Sequence, residues 1–294
     1  MQNITPHLWF DKEAKEAAEF YTSVFDNSKI NFTTQIRGTP SGDCDLVGFQ
    51  IMGYDFMAIS AGPLFKINPS ISFHVKCKTT EEVDAFWGKL LEGGTVLMEL
   101  GEYPFSKRYG WIEDKYGVSW QVIFTETNFK QKITPVMMFT QDLCGKAEEA
   151  VKFYTSIFKN SKTEFLARYE KGESPVDKSG TIKYAHFILD GQEFGVMDSA
   201  QDHKFKFNEA ISLLIACNAQ DEIDYYWEKL SADPKAEQCG WVKDKFGLSW
   251  QVWPTIIGDM IKKGTKEQVA RLIKAFLPMK KVDIEKLKEA YQGK

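Results

Sequence analysis

The 294-residue sequence predicts an α+β chain: two tandem copies of one domain, each a β-α-β-β-β module used twice, and then a helical tail. Three observations predict it. Long phrases recur in the same order. Strand-like and helix-like patterns alternate in the same way within each copy. After Pro254 only helical periodicity remains.

The repeated phrases set the organisation. "ITPHLWF" at Ile4 returns as "ITPVMMF" at Ile133, and "FYTSVF" at Phe20 as "FYTSIF" at Phe153. "SISFHVKCKTTEEVDAFWGKL" at Ser70 returns as "AISLLIACNAQDEIDYYWEKL" at Ala210, and "GWIEDKYGVSWQV" at Gly110 as "GWVKDKFGLSWQV" at Gly240. A spacing of about 130 residues is far too long for a solenoid repeat and fits a duplicated domain. The join lies near Thr127–Lys132, which gives domains over 1–128 and 132–254 and a tail over 255–294.

Each copy opens with a strand, Ile4–Phe10 in the first, and Asp11 stands where a helix N-cap is expected. Ala14, Ala17, Tyr21, Val24 and Phe25 then recur at helical spacing, which predicts one buried face. Met52–Gly53 and Asp190–Gly191 read as tight hairpin turns. A second strand (Ile71–Cys77) leads to a second helix opened by Thr79 or Thr80, with Val83, Phe86, Trp87 and Leu90 in phase. The copies differ before the tryptophan phrase. The first has "LEGGTVLMELGEYPFSKRYGW" and the second only "SADPKAEQCGW", so a strand is shortened or lost. In the tail, Val269, Leu272, Ile273 and Phe276 share a helix face. Pro278 ends that helix, and Asp283 caps another carrying Ile284, Leu287 and Tyr291. The tail is lysine-rich, and a solvated face on docked helices explains this better than an anionic partner.

The tryptophan phrase reads as strand, turn, strand. Asp114 and Asp244 suit the first turn position, and Gly117 and Gly247 the left-handed one. Beyond the turn, alternation puts Val118, Trp120 and Val122 on one face and Ser119, Gln121 and Ile123 on the other. The tryptophans of the phrase are expected in packing. Gln121, on the other face, must line water, a ligand or a partner, because a buried unsatisfied amide is costly.

Composition narrows the function classes. Hydrophobic residues make up 43% and charged residues 27%, values of an ordinary globular protein. A net charge of −4 offers no concentrated basic surface for nucleic acid. No apolar run approaches the length of a membrane span, and the first twenty residues lack the pattern of a secretory signal, so the expectation is a cytoplasmic protein with no membrane partner. The five cysteines are scattered without a C-x-x-C pair, which fits reduced thiols.

The quoted phrases, with "MKKVDIEKL" in the tail, resemble the PhnB-like branch of the vicinal oxygen chelate (glyoxalase/bleomycin-resistance/dioxygenase) superfamily. The resemblance spans almost the whole chain. It is specific for the family and much less so for function, since one fold hosts many activities. It implies tandem vicinal oxygen chelate domains of paired βαβββ modules, their curled mixed sheets forming cups. Metal-using relatives bind a divalent ion there through His, Glu, His and Glu, one from each of four strands. The corresponding positions here fall on Gln121 and Gln251, near Ser60 and Asp198, on Ser72 and Ser212, and near Thr5 and Thr134. A neutral amide is a poor substitute for a carboxylate ligand, so the usual ligand set is largely missing. His7 and His74 stand two residues beyond Thr5 and Ser72, hence on the same faces, and are expected to point into one first cup. Their counterparts are Val136 and Leu214.

The resulting expectation is a small-molecule-binding protein without the usual metal site. Its first cup is lined by His7, Trp9, Ser60, Ser72, His74 and Gln121, and its second by Met138, Asp198, Ser212 and Gln251. No cofactor is assigned. The alternative is a metal-dependent lyase, transferase or dioxygenase with a divalent ion displaced onto His7 and His74, and a third reading is a structural or regulatory module. PhnB-like proteins often carry the name 3-demethylubiquinone methyltransferase, but the chain has no glycine-rich strand-to-helix turn of the nucleotide-binding kind. A tandem copy can stand in for the homodimer of single-copy relatives, so a monomer or a homodimer is expected.

Overall fold

The computed structural model describes residues 3–39 and 41–294. The first copy runs β1 (Ile4–Phe10), α1 (Ala14–Val24), β2 (Lys29–Thr39), β3 (Gly42–Ile51), β4 (Tyr54–Ser60), then β5 (Ile71–Cys77), α2 (Thr80–Leu91), β6 (Thr95–Tyr103), β7 (Ser106–Glu113) and β8 (Ser119–Phe124). The second runs β9 (Ile133–Phe139), α3 (Ala147–Ile157), β10 (Lys162–Arg168), β11 (Ile182–Leu189), β12 (Gln192–Asp198), then β13 (Ile211–Cys217), α4 (Gln220–Leu230), β14 (Trp241–Lys243) and β15 (Ser249–Pro254). The strand that would match β6 is absent from the second copy. The tail holds α5 (Ile256–Lys263), α6 (Lys266–Phe276) and α7 (Ile284–Gln292); α5 is the one tail helix that the sequence periodicity does not announce.

The strands form two sheets, and neither belongs to one copy. The seven-stranded sheet has the order β14-β15-β13-β1-β4-β3-β2 and the eight-stranded sheet β10-β11-β12-β9-β5-β8-β7-β6. Each joins the first module of one copy to the second module of the other. The seams are antiparallel pairs: β1 with β13, in register Ile4↔Ile215, and β5 with β9, in register Ile71↔Met137.

Helices cover the outer, apolar faces and bind the two halves of each copy together. Tyr21 of α1 packs on Phe49 of one sheet at 6.1 Å and on Trp120 of the other at 5.3 Å between ring centroids. Phe25, just past the end of α1, meets Phe86 of α2 at 5.0 Å. The second copy repeats this with Tyr154 and Phe158 against Trp250. Thr79 caps α2 by accepting from the Glu82 amide. Asp11 caps nothing: the residue preceding α1 is Glu13, which makes no side-chain cap bond, and the Ala14 amide donates to Ser60 Oγ on β4 instead.

Gly110 shows how closely α2 lies on the sheet, since a Cβ there would stand 2.3 Å from the Trp87 ring. Gly110→Ala is expected to cost about 1–3 kcal/mol through forced repacking, read as a lowered midpoint in urea with the m-value unchanged.

The tail takes over where the second copy lacks a strand. The Cys239 and Gly240 amides donate to the Met279 and Lys280 carbonyls, at 2.7 and 2.8 Å. Ile257, Met260, Leu272, Phe276, Val282 and Leu287 form their own cluster, with Trp253 packed against it. The predicted apolar faces of α6 and α7 are therefore buried against the sheet, and the Asp283 side chain caps α7 as expected.

Candidate functional site

Each sheet has a second, concave face, reached by the alternate residues of its strands. Both sheets curl strongly. His7 on β1 and Trp241 on β14 are three strands apart, roughly 14 Å in a flat sheet, yet their ring centroids are 5.8 Å apart. In the other sheet, His74 on β5 and Tyr184 on β11 are also three strands apart, and they stack at 5.5 Å with an interplanar angle of 18°. These are narrow cups.

The two histidines thus belong to different cups, contrary to the expectation that both line the first. β1 pairs with β13 rather than β5, so the cups exchange halves. The eight-stranded cup gathers Ser72, His74, Gln121 and Met138, and the seven-stranded cup His7, Trp9, Ser212 and Gln251. Ser60 and Asp198 line neither cup. At the ends of β4 and β12 they turn to the helix side, where free amides at a helix start need acceptors. Asp198 accepts from the Gly145 and Ala147 amides at the start of α3, at 2.7 and 3.1 Å, and from the Ile182 amide at 2.8 Å.

In the eight-stranded cup Gln121 is the hub of a closed network. Its Oε1 accepts from Tyr109 Oη at 2.6 Å and from His74 Nε2 at 2.7 Å, and its Nε2 donates to Ser72 Oγ at 2.7 Å. An amide oxygen cannot donate, so His74 carries its proton on Nε2. Burial lowers the His74 pKa to about 4, so the ring is neutral at pH 7. The opening of the cup is filled by its own side chains: Tyr109, Trp111 and Met138 are buried together, with Met98, Tyr103, Ile123, Met197 and Phe205 packed on them. At one end Lys76 and His186 flank the Glu193 carboxylate, which they help hold at a pKa of about 2 against the cost of burial.

The seven-stranded cup is built differently. Gln251 Nε2 donates to Ser212 Oγ at 2.9 Å, as Gln121 does to Ser72, but Leu214 stands in the place of His74. His7 lies opposite Ser212 across the seam. It is only 4% exposed, and its Nδ1 has no hydrogen-bond partner among the described residues. Burial lowers its pKa to about 4, so it too is neutral. Trp241 meets the His7 and Trp9 rings edge-on, at interplanar angles of 88° and 77°. Trp9 is fixed by its Nε1 donating to the Gly62 carbonyl at 2.7 Å. Met57, Ile59 and Leu214 share the cup face. Helix α6 crosses the mouth: its Phe276 packs on Trp253 of β15 at 5.4 Å, and the helix also touches β2 at the opposite edge of the sheet.

Trp241 and Trp111 correct the reading of the phrase's tryptophans as packing alone. Trp120 and Trp250 are core, but Trp111 pairs directly with Gln121, and Trp241 with Gln251, so both face the cups. Cross-strand pairing on the glutamine's face is the signal that locates them. Tyr109, Tyr184 and the cluster of Lys76, His186 and Glu193 had no signal in the sequence, because their convergence depends on the curl.

Neither cup suits the divalent ion of metal-using relatives. The cup-facing positions carry Thr134, Met197, Ser72 and Gln121 in one and Thr5, Ile59, Ser212 and Gln251 in the other. The Gln121 oxygen is already committed to two donors. Among the described residues no three His, Cys, Asp or Glu side chains are placed to hold a metal. No helix among them is long and apolar enough to cross a membrane.

Comparison with known proteins agrees with this architecture. The family model described as 3-demethylubiquinone-9 3-methyltransferase matches residues 2–123 and again 131–253. A putative 3-demethylubiquinone-9 3-methyltransferase, PhnB protein, from Bacillus cereus is 41% identical over 42% of this chain and 100% of its own, with a TM-score of 0.40. A point mutant of glyoxalase I from Zea mays is 12% identical over 88% of this chain and 97% of its own, with a TM-score of 0.55, a likeness of fold. A glyoxalase-related enzyme from Fulvimarina pelagi is 14% identical over 46% of this chain and 98% of its own, with a TM-score of 0.33. A search of curated proteins finds no match. With both copies matched, the chain belongs to the PhnB-like family described as 3-demethylubiquinone-9 3-methyltransferase, in a tandem form with the glyoxalase-type vicinal oxygen chelate fold.

Proposed function

We propose that this protein binds a small organic molecule in its seven-stranded cup and does so without a metal ion. One observation carries the reading: His7, buried on the cup floor, has a ring nitrogen with no partner among the described residues. Such an atom costs about 1–3 kcal/mol, and a ligand that pairs with it recovers that cost. The surrounding walls are aromatic and apolar with few polar anchors, the usual make-up of a small-molecule site. In the eight-stranded cup the equivalent glutamine is spent internally and the opening is filled, which favours a structural role there. The metal-enzyme alternative is less favoured, since its two histidines lie on strands of different sheets.

The test is a thermal-shift screen of small organic compounds against the full-length protein, wild type beside Leu214→Trp and Val136→Trp. Ligands at about 100 times Kd should stabilise the wild type by about 2.7 kcal/mol. Leu214→Trp, which fills the seven-stranded cup, should abolish the shifts, and Val136→Trp in the other cup should keep them. EDTA should change nothing. Shifts that vanish with EDTA, or that survive Leu214→Trp, would refute the proposal.

A further inference from the structure

The chemistry of the same cup narrows its ligand, an inference that rests on the binding role proposed above. We infer that the ligand is an uncharged, flat aromatic molecule carrying one hydrogen-bonding group that pairs with His7 Nδ1.

The shape argument comes from the rings. Trp241 meets both His7 and Trp9 at close to a right angle, with centroids 5.8 and 6.2 Å away. Three rings set this way form a corner, and an aromatic guest can stack on one wall while meeting another edge-on, the two favoured geometries for aromatic pairs. Phe276 of α6, held against Trp253, adds a further ring over the same face.

The charge argument comes from what is already paired. By register three charged side chains share this face: Lys29 on the edge strand β2, which is exposed, and Asp55 and Lys243, which have partners. Lys243 pairs with Glu209 at 2.6 Å, and Asp55 accepts from Gln50 Nε2 at 3.0 Å. Ser212 and Gln251 are neutral and bonded to each other, and His7 is neutral. A charged ligand on the His7 floor would be stripped of water among neutral side chains, a penalty that a neutral guest avoids.

The polar group of the guest follows from His7. A site whose buried polar atom waits for a partner rejects an analogue that lacks the matching group, because the atom then stays unpaired. A penalty of this kind corresponds to about a 5- to 150-fold difference in affinity.

The experiment titrates the full-length protein with phenol, toluene, benzoate and benzylammonium, followed by tryptophan fluorescence and calorimetry. Phenol should bind at least about tenfold more tightly than toluene, and the two ions should not bind measurably. His7→Phe should bring phenol and toluene to within about threefold, while His7→Gln, which restores a hydrogen-bonding group, should keep part of the preference. Benzoate or benzylammonium binding as tightly as phenol would overturn the inference while leaving the cup as a binding site. So would toluene matching phenol, or the preference surviving in His7→Phe. If no probe binds and the wider screen is also blank, the cup reading falls and this inference with it.

Discussion

Replacing Asp244 with alanine should lower stability by about 3–5 kcal/mol, the cost of leaving buried hydrogen-bond donors unpaired. Asp244 is the hub of the second tryptophan phrase. Oδ1 accepts from the Phe246 and Leu248 amides at 2.9 and 3.1 Å, and Oδ2 from Trp250 Nε1 and Tyr154 Oη, both at 2.8 Å. One carboxylate thereby closes the turn, fixes the core tryptophan and ties α3 to the far sheet. Alanine leaves four buried donors unpaired. Asp244→Asn should cost roughly half as much, since its oxygen still serves the two amides while its NH₂ cannot accept from Trp250. Urea denaturation of the three proteins checks the order. A loss below about 1 kcal/mol for alanine would mean that water replaces the carboxylate and that the phrase is repeated for another reason.

The repetition of this phrase was readable from the sequence because its determinants are local. An Asp three residues before a Gly makes the turn, and period-two alternation assigns Trp120 and Gln121 to opposite faces. Partner choice was not readable. "ISFHVKC" and "ISLLIAC" offer β1 the same alternation, so nothing local says that β1 should seam with β13 rather than β5; the choice is settled by how the four modules close together. Two corrections follow from that. His7 parted from His74, and each cup drew residues from both copies. Ser60 and Asp198 were misassigned for a different reason. They lie in phase with Ala58 and Val196, on the helix side of their strands, and there they serve the amides of a helix start. The lost strand and the apolar tail faces were both visible in the sequence. That the tail repairs the lost strand's edge and roofs one cup was not, because it depends on the backbone bonds from Cys239 and Gly240.

Between pH 6.5 and 4.5 the wild type should lose less than about 1 kcal/mol from its four deeply buried titrating groups, but the double variant Asp114→Asn, Asp244→Asn should lose about 4. His7 and His74 have pKa values lowered from 6.5 to about 4. Their unfolded forms take up protons first as the pH falls, so acid withdraws stability, by a little over about 2 kcal/mol each over this window. Asp114 and Asp244 are pushed by burial from 3.8 up to about 6, against the donors around them. In the folded state they hold protons that the unfolded chain has lost, so they destabilise the fold as the pH rises through 6 and restore about 2 kcal/mol each on acidification to 4.5. The two pairs oppose each other. Asparagine at both aspartates removes the restoring pair and exposes the histidine slope. Glu193, held at about 2, is ionised in the folded state throughout this window and adds little above the ordinary glutamate range. The check is ΔG of unfolding in urea at four or five pH values. The slope is what matters, so an overall loss of stability in the variant does not obscure it. Parallel curves for the two proteins would mean that the carboxylates stay ionised and that their hydrogen bonds outweigh the cost of burying them.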